Sequence, residues 1–467
     1  MKYCLWEISM HTLNLSKNVR QKWLNLLFNL LKLNKMKYIL ICLMFLFVSV
    51  NYAQVLTLHD CYKKAFENAP LASSEEEISR KADLQQKVTA TNYLPSFALT
   101  AQATYQSDVT SLDVEMPSIP GIGQLSLDIP EPAKDQYKIA FEFSQFIWDG
   151  GITKSLKELN NVNARMEKQQ LKVSRFSVFD KVNTYYFSVL IIDKNLDLIE
   201  HTTDLLNKRM HSIQTAIENG VAISSDLRQM EAEVLRLNQK KVELQAARQY
   251  SLESLSTLTK TQISGVDYHS EVQDAGLESD SILRPEIELL SKQQEVLQAN
   301  SNILKKSLMP KVVGFGQVGY GRPGFNMLSN EFDSFYYVGA KLSWDLWDWG
   351  EVKKQQEILS IQGSILDNQK DQILQDLDLL IDQRKSSIDR INKQLQNDKK
   401  IVELYKKILD ASSSKLDNGV ITTTDYLSDV YKLYQAQIDM ENRNIQKMKL
   451  NAELQIVTGS IMNNINI

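Results

Sequence analysis

The sequence predicts a mainly α-helical protein with a membrane β-barrel, built from two copies of a helix–strand–strand–helix unit. Two stretches, 136–148 and 334–347, alternate between apolar and polar residues. A period of two is typical of a strand with one apolar and one polar face. A long helical pattern follows each stretch, after the similar signatures Trp148-Asp149-Gly150-Gly151 and Trp347-Asp348-Trp349-Gly350. The same unit therefore occurs twice.

Composition and charge argue against several classes of protein. The chain has 467 residues but only 9 Pro and 17 Gly, so long stretches can remain helical. Its formal net charge of −4 gives no reason to expect a nucleic-acid partner. The five His and three Cys form no cluster at ligand spacing, so we expect neither a metal nor another cofactor. No Ser-His-Asp order, phosphate loop or carboxylate pair indicates an enzyme.

The N-terminal residues resemble a leader rather than part of the folded protein. Residues 36–53 join a charged start to a short apolar run and end at Ala53, which predicts a secretory signal peptide. The alternative is a membrane anchor, for which the run is short. Residues 1–35 are then an upstream extension. Removing residues 1–53 leaves Cys61 as the one cysteine, so we expect no disulfide framework.

Two repeats account for nearly all of the remaining chain. The first is expected at 54–260 and the second at 284–460, with a polar connector at 261–283 and a C-terminal tail at 461–467. Matching positions lie 215 residues apart before the strands and 199 apart after them, because one strand-to-strand loop is longer. The expected strands are 96–105, 136–148, 311–320 and 334–347.

Each repeat is expected to contain one long helix and one helix about half as long after its second strand. The long helix of the first repeat is expected to be continuous from about Gly151 to the turn Asn219-Gly220. The corresponding turn of the second repeat is Asn418-Gly419. Glycine in these turns supplies the left-handed conformation that commonly ends a helix.

The strands of one chain are too few to close a barrel. Four strands would leave open edges, which are not viable in lipid. Their length is that of strands that cross a bilayer with a tilt. Three chains would supply twelve strands, so we expect a homotrimer with a 12-stranded barrel at one end and a long α-helical tube at the other. The alternative is a soluble β-sandwich with coiled-coil arms.

The two tip sequences and the order of the elements carry a family resemblance. The tips are Asn219-Gly220-Val221-Ala222-Ile223-Ser224-Ser225-Asp226 and Asn418-Gly419-Val420-Ile421-Thr422-Thr423-Thr424-Asp425. With the duplication, they resemble the TolC family of trimeric outer-membrane efflux channels. The resemblance implies a barrel in outer-membrane lipid, a periplasmic tube and an iris-like opening at the tips. It also implies two partners, a periplasmic adaptor and an inner-membrane pump or ABC transporter.

The resemblance further implies roles for four residues near the tips. Asp425 and, displaced by one residue, Asp429 would ring the narrowest point, while Ser225 and Asp226 would help to hold it closed. Ile421 stands where the family often has a basic residue, so we expect closure to rest on packing and hydrogen bonds. The alternative for each first-turn Asp is a solvated acid that favours the helix dipole. Three copies of Asp425 around one axis would attract cations and raise at least one of their pKa values.

Four tryptophans lie near the ends of the expected strands. This position predicts an aromatic girdle at the lipid interface rather than a binding site, for Trp148, Trp344, Trp347 and Trp349.

We therefore expect a passive channel of a tripartite efflux or type I secretion system, located in the outer membrane. One alternative is an exported coiled-coil protein with a structural or adhesive role on the cell surface. Another is an envelope enzyme with a coiled-coil arm. The sequence does not indicate the exported substrate, because the pump would select it.

Overall fold

The computed structural model describes residues 54–111, 131–268 and 282–465. The chain divides into two units, Met1–Gln54 and Val55–Ile467, and Gln54 is the one described residue of the first. The expected signal peptide and upstream extension therefore lie outside the described residues. So do most of the loop between the first two expected strands and part of the connector.

The described elements repeat the order of helix, two strands and helices. Short 3₁₀ turns at Pro70–Ser73 and Thr91–Tyr93 flank the second helix. In chain order the elements are β1 (Gln54–Leu56), α1 (Leu58–Glu67), α2 (Ser74–Ala90), β2 (Ser96–Tyr105), β3 (Asp135–Trp148), α3 (Ile152–Phe176), α4 (Val178–Glu218), α5 (Ser224–Thr259), β4 (Ile263–Val266), α6 (Pro285–Ser307), β5 (Lys311–Arg322), β6 (Asp333–Ser343), α7 (Glu351–Asp417), α8 (Thr423–Thr458) and α9 (Ile461–Asn464).

Four strands form one antiparallel sheet in the order β2-β3-β5-β6, so that β3 and β5 join the two repeats. The register aligns Leu99, Phe141, Val318 and Tyr336 in one row across all four strands. Residues of this row and its neighbours on the same face are apolar and exposed; Leu99 is 70% exposed and Tyr336 81%. A sheet that exposes so much apolar surface on one face is suited to lipid rather than water.

The opposite face of the sheet is polar near its middle. Glu142 accepts hydrogen bonds there from the Thr100 hydroxyl, at 3.2 Å, and from the Gln317 amide. Gln317 is buried although it lies on a sheet face. The two faces therefore differ in the way that the sequence alternation predicts.

The sheet has two features at its helical end that the sequence did not predict, a bulge in β3 and an earlier end of β6. A bulge between Phe146 and Trp148 shifts the register, so that Trp148 lies opposite Val312 on the apolar face. Strand β6 ends at Ser343 rather than at residue 347, so the prediction of a longer strand is wrong. Ser343 pairs with the first residue of β5, and the preceding Pro310 has no N–H to extend the ladder.

The long helix of the first repeat is interrupted, which corrects the expectation of one continuous helix. Helix α3 ends at Phe176 and α4 begins at Val178. The hydroxyl of Ser177 donates to the Ser174 carbonyl at 3.0 Å, a local bond that competes with the helical pattern. Beside the break, Phe179 is fully buried against the rings of Tyr62, Phe66 and Phe176. Helix α7 has no such break over its 67 residues.

The predicted polar connector contains a short strand. Its residues Ile263–Val266 form β4, which pairs with β1 in a two-stranded sheet. Ile263 lies in the same buried cluster as Leu56 and Leu58, together with residues of α1, α4, α5 and α8. A strand of four residues is too short for the alternation of apolar and polar residues to reveal it.

The remaining helices pack in pairs. Toward the sheet, α3 packs against α2 and α6, and α6 against α7. Toward the turns, α4 packs against α5 and α7 against α8, while α8 also contacts α4. Within the described ranges, none of the helices combines the length and the apolarity needed to cross a membrane.

Candidate functional site

The first helix tip is a tight turn between α4 and α5. The Gly220 N–H donates to the Ile217 carbonyl at 2.9 Å, and the Val221 N–H to the Ala216 carbonyl at 2.9 Å. With Gly220 at a φ of +74°, these bonds form a Schellman motif, which satisfies the last carbonyls of α4. The Asn219 side chain also bonds the Thr215 carbonyl.

The second tip, between α7 and α8, repeats this geometry. Gly419 has a φ of +67°, and its N–H donates to the Leu416 carbonyl at 3.0 Å. The Val420 N–H donates to the Lys415 carbonyl at 2.8 Å, and the Asn418 side chain bonds the Ser414 carbonyl. The four predicted turn residues therefore lie in two equivalent helix ends.

The two tips differ in how the next helix begins. At the second tip the Thr422 hydroxyl accepts from the Asp425 N–H at 3.1 Å, and Asp425 accepts from the Thr422 N–H at 3.0 Å. This is a complete capping box. At the first tip Ile223 has no side-chain acceptor, and Asp226 accepts from the Ile223 N–H at a long 3.5 Å. The first tip therefore has the weaker cap.

The candidate gate residues have different surroundings. Asp425 is exposed, and hydrogen bonds from the Thr422 hydroxyl and backbone lower the pKa of its carboxyl. Asp429 is partly buried; burial raises its pKa, but hydrogen bonds from Ser412 and Lys432 outweigh this and lower the pKa overall. Ser225 is exposed, whereas Asp226 faces the groove between the tips.

An ion pair joins the two tips within one chain, while the expectation that closure rests on packing and hydrogen bonds stays a prediction. Arg209 of α4 lies 2.6 Å from Asp417 at the end of α7. The Arg209 guanidinium also lies 5.3 Å from the centre of the Tyr426 ring on α8. A groove of about 590 Å³ beside this contact is lined by Asp226 and Ile421 among others. Sequence reasoning missed Arg209 because its partner lies far along the chain.

The predicted girdle tryptophans cluster where the strands meet the helices. Trp148 and Trp344 are exposed on this end of the sheet, and the rings of Trp347 and Trp349 meet edge to face at 5.8 Å. Trp349 is 82% exposed and has a φ of +54°, a strained conformation for a large side chain. The role of Trp349 in an aromatic girdle stays a prediction.

A second aromatic group lies at the opposite end of the apolar face. The Phe332 ring stacks on Tyr320 at 5.6 Å and lies 6.2 Å from Tyr137. The Arg322 guanidinium covers both Tyr137 and Phe332, as is common for cations at aromatic faces. Two aromatic groups at the two ends of an apolar face form the pattern of a membrane-spanning sheet. The signal in the sequence was the alternation that places Tyr137 and Tyr320 on the apolar face.

The duplicated Trp-Asp signatures form the corners between strands and helices. Asp149 accepts hydrogen bonds from the N–H groups of Gly151, at 2.9 Å, and Thr153, at 2.6 Å, and from the Tyr93 hydroxyl at 2.6 Å. Asp348 accepts from the N–H groups of Gly350 and Val352, both at 3.0 Å. The two signatures therefore cap the long helices where they leave the sheet.

A further pair of equivalent bonds fixes the same corners. The Gln145 side chain donates to the Tyr93 carbonyl at 3.0 Å, and the Trp344 indole N–H to the Leu308 carbonyl at 3.1 Å. Gln145 and Trp344 occupy matching positions of the two repeats, as do Tyr93 and Leu308. Trp344 thus holds the corner as well as exposing its ring.

In the part of the chain that the structure describes, no group of His, Cys, Asp and Glu is arranged to hold a metal ion.

These features define a class of protein. A sheet with an exposed apolar face lies at one end of paired long helices, and those helices end in two capped tips. This is an outer-membrane channel with a helical tube. The chain belongs to the outer membrane efflux protein family, whose family model matches residues 62–259 and 282–460.

Solved structures share this fold. The outer-membrane protein VceC of Vibrio cholerae is 14% identical, with a TM-score of 0.58 over 86% of this chain and 96% of its own. The CmeC channel of Campylobacter jejuni is 15% identical, with a TM-score of 0.58 over 88% of each chain. The open state of the MtrE channel of Neisseria gonorrhoeae is 16% identical, with a TM-score of 0.61 over 86% of this chain and 88% of its own.

No curated protein sequence matches the chain. The shared fold confirms the predicted fold class. The family match confirms the outer-membrane location and the function as a passive efflux channel. Nothing in these matches supports the alternative of a coiled-coil surface protein.

Proposed function

We propose that three copies of this chain form the outer-membrane channel of a tripartite efflux or type I secretion system. The barrel would cross the outer membrane, the helices would form a periplasmic tube, and the helix tips would open and close it. The channel would catalyse no reaction, and its role would be passage alone.

The edges of the sheet support the trimer. Strands β2 and β6 are the outer strands of the four, and both expose backbone groups that need partners in lipid. The strands contain 10, 14, 12 and 11 residues, enough to cross a bilayer with a tilt. Pairing of β6 with β2 of the next chain would close a barrel of twelve strands and remove every edge.

The observation that carries the proposed gate is the contact of Arg209 with Asp417 and Tyr426. It connects a helix of the first repeat to two helices of the second, next to both turns. A second contact, from the Thr424 hydroxyl to the Gln229 side chain at 3.0 Å, also joins α8 to α5. Opening by separation of the two helix pairs would break these contacts, so they would stabilise the closed arrangement.

Substitution of Arg209 should therefore increase the open fraction. An ion pair with one exposed partner contributes about 1 kcal/mol, which corresponds to about a fivefold change in an equilibrium. We expect Arg209→Ala and Asp417→Asn each to raise the mean conductance of the purified protein in planar bilayers. The double variant should be no more open than Arg209→Ala alone, because Arg209→Ala already removes the ion pair with Asp417 together with the contact to Tyr426.

Lys407→Ala provides a matched control. Lys407 and Glu403 form an ion pair at 2.8 Å on the same helix as Asp417, but this pair joins no second helix. Its loss should leave the conductance at the wild-type value. If Arg209→Ala behaved like Lys407→Ala, the proposed latch would be excluded while the channel itself would stand.

A periplasmic adaptor and an inner-membrane pump or ABC transporter would supply contact and energy. The tips expose three apolar residues, Val221 at 79%, Val420 at 69% and Ile223 at 65%, which supports a protein partner at this end. Cross-linking of a Val420→Cys variant to a co-expressed adaptor would test this assignment. A functional trimer that gave no such cross-link would argue against it.

A further inference from the structure

The polar face of the sheet contains an aromatic cluster that the membrane does not explain. Phe315, Phe335 and Tyr337 lie on this face, in register with Gly339, Gly319 and Gln317. The Phe315 and Tyr337 rings meet at 6.1 Å, and the Lys138 ammonium lies 5.2 Å from the centre of the Phe335 ring. Because the opposite face meets lipid, these rings line the interior of the barrel.

Phe325, from the loop between β5 and β6, covers this cluster. Its ring lies 5.5 Å from that of Phe335 and 5.9 Å from that of Tyr337. Tyr337 is four residues inside β6, so the loop folds back over the interior face instead of extending the hairpin. Phe325 is nevertheless 62% exposed, so one side of its ring faces the open interior.

Three glycines leave the space that this arrangement of the rings and the loop requires. A Cβ on Gly319 would lie 2.4 Å from the Phe335 ring, and one on Gly339 would lie 2.9 Å from the Phe315 ring. The wall rings therefore lie close against the strands. A Cβ on Gly324 would lie 2.9 Å from the Asp333 side chain, so the residue before Phe325 also needs to be glycine for this close approach.

The loop lies at the outer end of the barrel. The helices join the strands at the start of β5 and after the end of β6, so the β5–β6 loop is at the opposite end of the sheet. Since the helices extend into the periplasm, this loop faces the outside of the cell. The Asn330 side chain accepts from the Ala133 N–H at 2.9 Å and ties the loop to the residues that lead into β3.

We propose that the three Phe325 rings of the trimer, each supported by Phe335 and Tyr337, narrow the outer mouth of the channel. The inference rests on the proposed trimer and adds a second constriction, at the end opposite the helix tips. Three apolar rings at the mouth would limit the entry of bulky polar solutes from outside, while small solutes could pass between them.

Labelling of a cysteine inside the barrel tests this constriction independently of the tip gate. Lys341 lies on the interior face, paired with Val313 near the helical end of β6, and it is exposed. In a Lys341→Cys channel in intact cells, a small membrane-impermeant maleimide should react readily from outside. A bulky polymer-linked maleimide should react slowly, and adding Phe325→Ala should accelerate it several-fold. Cys61 is fully buried and should contribute little background.

Phe332→Ala is the matched control. Phe332 is an aromatic residue of the same loop, but its ring stacks on Tyr320 on the lipid-facing side. Its replacement should leave both labelling rates unchanged. If the polymer-linked maleimide reacted at the same rate with and without Phe325→Ala, the proposed constriction would be overturned. Rapid reaction of the small maleimide would in that case still support an open interior. Failure of both reagents in every variant would overturn the assignment of this face to a channel, and the inference with it.

Discussion

Asp425, at the scale of a single residue, caps a helix within one chain and would meet its own copies in the proposed trimer. Its carboxylate closes the capping box with Thr422, and the hydrogen bonds from that residue lower its pKa within one chain. A carboxyl whose pKa is lowered on folding stabilises the fold above its unfolded pKa, and this stability is lost as the pH falls through the folded value. The cap therefore persists at neutral and mildly acidic pH.

In the proposed trimer, three Asp425 side chains would act on one another in the opposite direction. Like charges around an axis raise the pKa of at least one member, and together they attract divalent cations. We expect Mg²⁺ to block the wild-type channel and the block to weaken as the pH is lowered. Asp425→Asn, which removes the charge but keeps an acceptor oxygen for the Thr422 N–H, should weaken the block several-fold in planar bilayers.

Thr422→Ala distinguishes the effect of the Asp425 charge from the effect of the helix cap. This variant loses the hydroxyl that accepts from the Asp425 N–H but keeps all three proposed charges. It should reduce thermal stability slightly and retain the Mg²⁺ block. If Thr422→Ala and Asp425→Asn lost the block equally, the helix cap rather than a ring of charge would be responsible.

Sequence reasoning reached some of these residues and not others, for physical reasons. A Thr followed three residues later by Asp is a local pattern, so the position of Asp425 in the first turn could be predicted. The contact of Arg209 with Asp417 depends on how two helices of different repeats pack, and no local pattern encodes it. Asp429 was expected to face the pore, and within one chain its carboxylate contacts Ser412 and Lys432.

At the scale of elements, the corners between strands and helices determine how the helices leave the sheet. Asp149 is buried and accepts three hydrogen bonds, whereas the more exposed Asp348 accepts two, both from backbone N–H groups. The first-repeat corner is also the more crowded one. A Cβ on Gly150 would lie 2.7 Å from the Cβ of Met309, whereas the matching position in the second repeat accommodates Trp349.

Asp149→Ala should therefore destabilise the protein more than Asp348→Ala does. Removing an ionised acceptor and leaving buried donors unpaired costs about 2 to 3 kcal/mol at Asp149. We expect a clearly lower thermal unfolding midpoint for Asp149→Ala, followed by circular dichroism in detergent, and a smaller change for Asp348→Ala. An equal loss in the two variants would show that the Tyr93 hydroxyl and burial add nothing to the first corner.

Elements with a strong period were predictable, and short or bent elements were not. The alternation at 136–148 marked β3 because each residue of the strand meets either an apolar or a polar surface. The break at Ser177 was invisible, because the apolar stripe continues through it and the Ser177 bond to the Ser174 carbonyl has no counterpart in the periodicity. Strand β4 forms only because β1, about 200 residues earlier, offers it a partner.

At the scale of the whole molecule, apolar residues on α7 lack cover within one chain. Ile358, Ile361 and Ile365 occur at helical spacing and are 54%, 56% and 50% exposed. Met166 and Leu297, from α3 and α6, help to line an apolar groove beside Ile365. A second copy of the chain seated on this stripe would bury it, as the proposed trimer requires.

Ile361→Asp should weaken the trimer. Burying one isoleucine side chain stabilises an interface by about 2 kcal/mol. The variant loses this contribution and also buries a charge in each of the three subunit interfaces. We expect light scattering after size-exclusion chromatography in detergent to find monomers at concentrations where the wild type is a trimer. Ser360→Asp, an exposed neighbour on another side of α7, should remain trimeric. If the Ile361→Asp protein remained trimeric, the interface between subunits would not include this stripe of α7.

The two corner bonds from Gln145 and Trp344 have a consequence for how such proteins diverge. Both side chains present an N–H to the carbonyl of the matching residue, Tyr93 or Leu308, although an amide and an indole share almost no chemistry. The two repeats share the position and orientation of an N–H donor, and many residue types can supply such a donor. A family that keeps the geometry of such hydrogen bonds can therefore change many of its residues and still keep its fold. The shared fold at 14 to 16% sequence identity illustrates this.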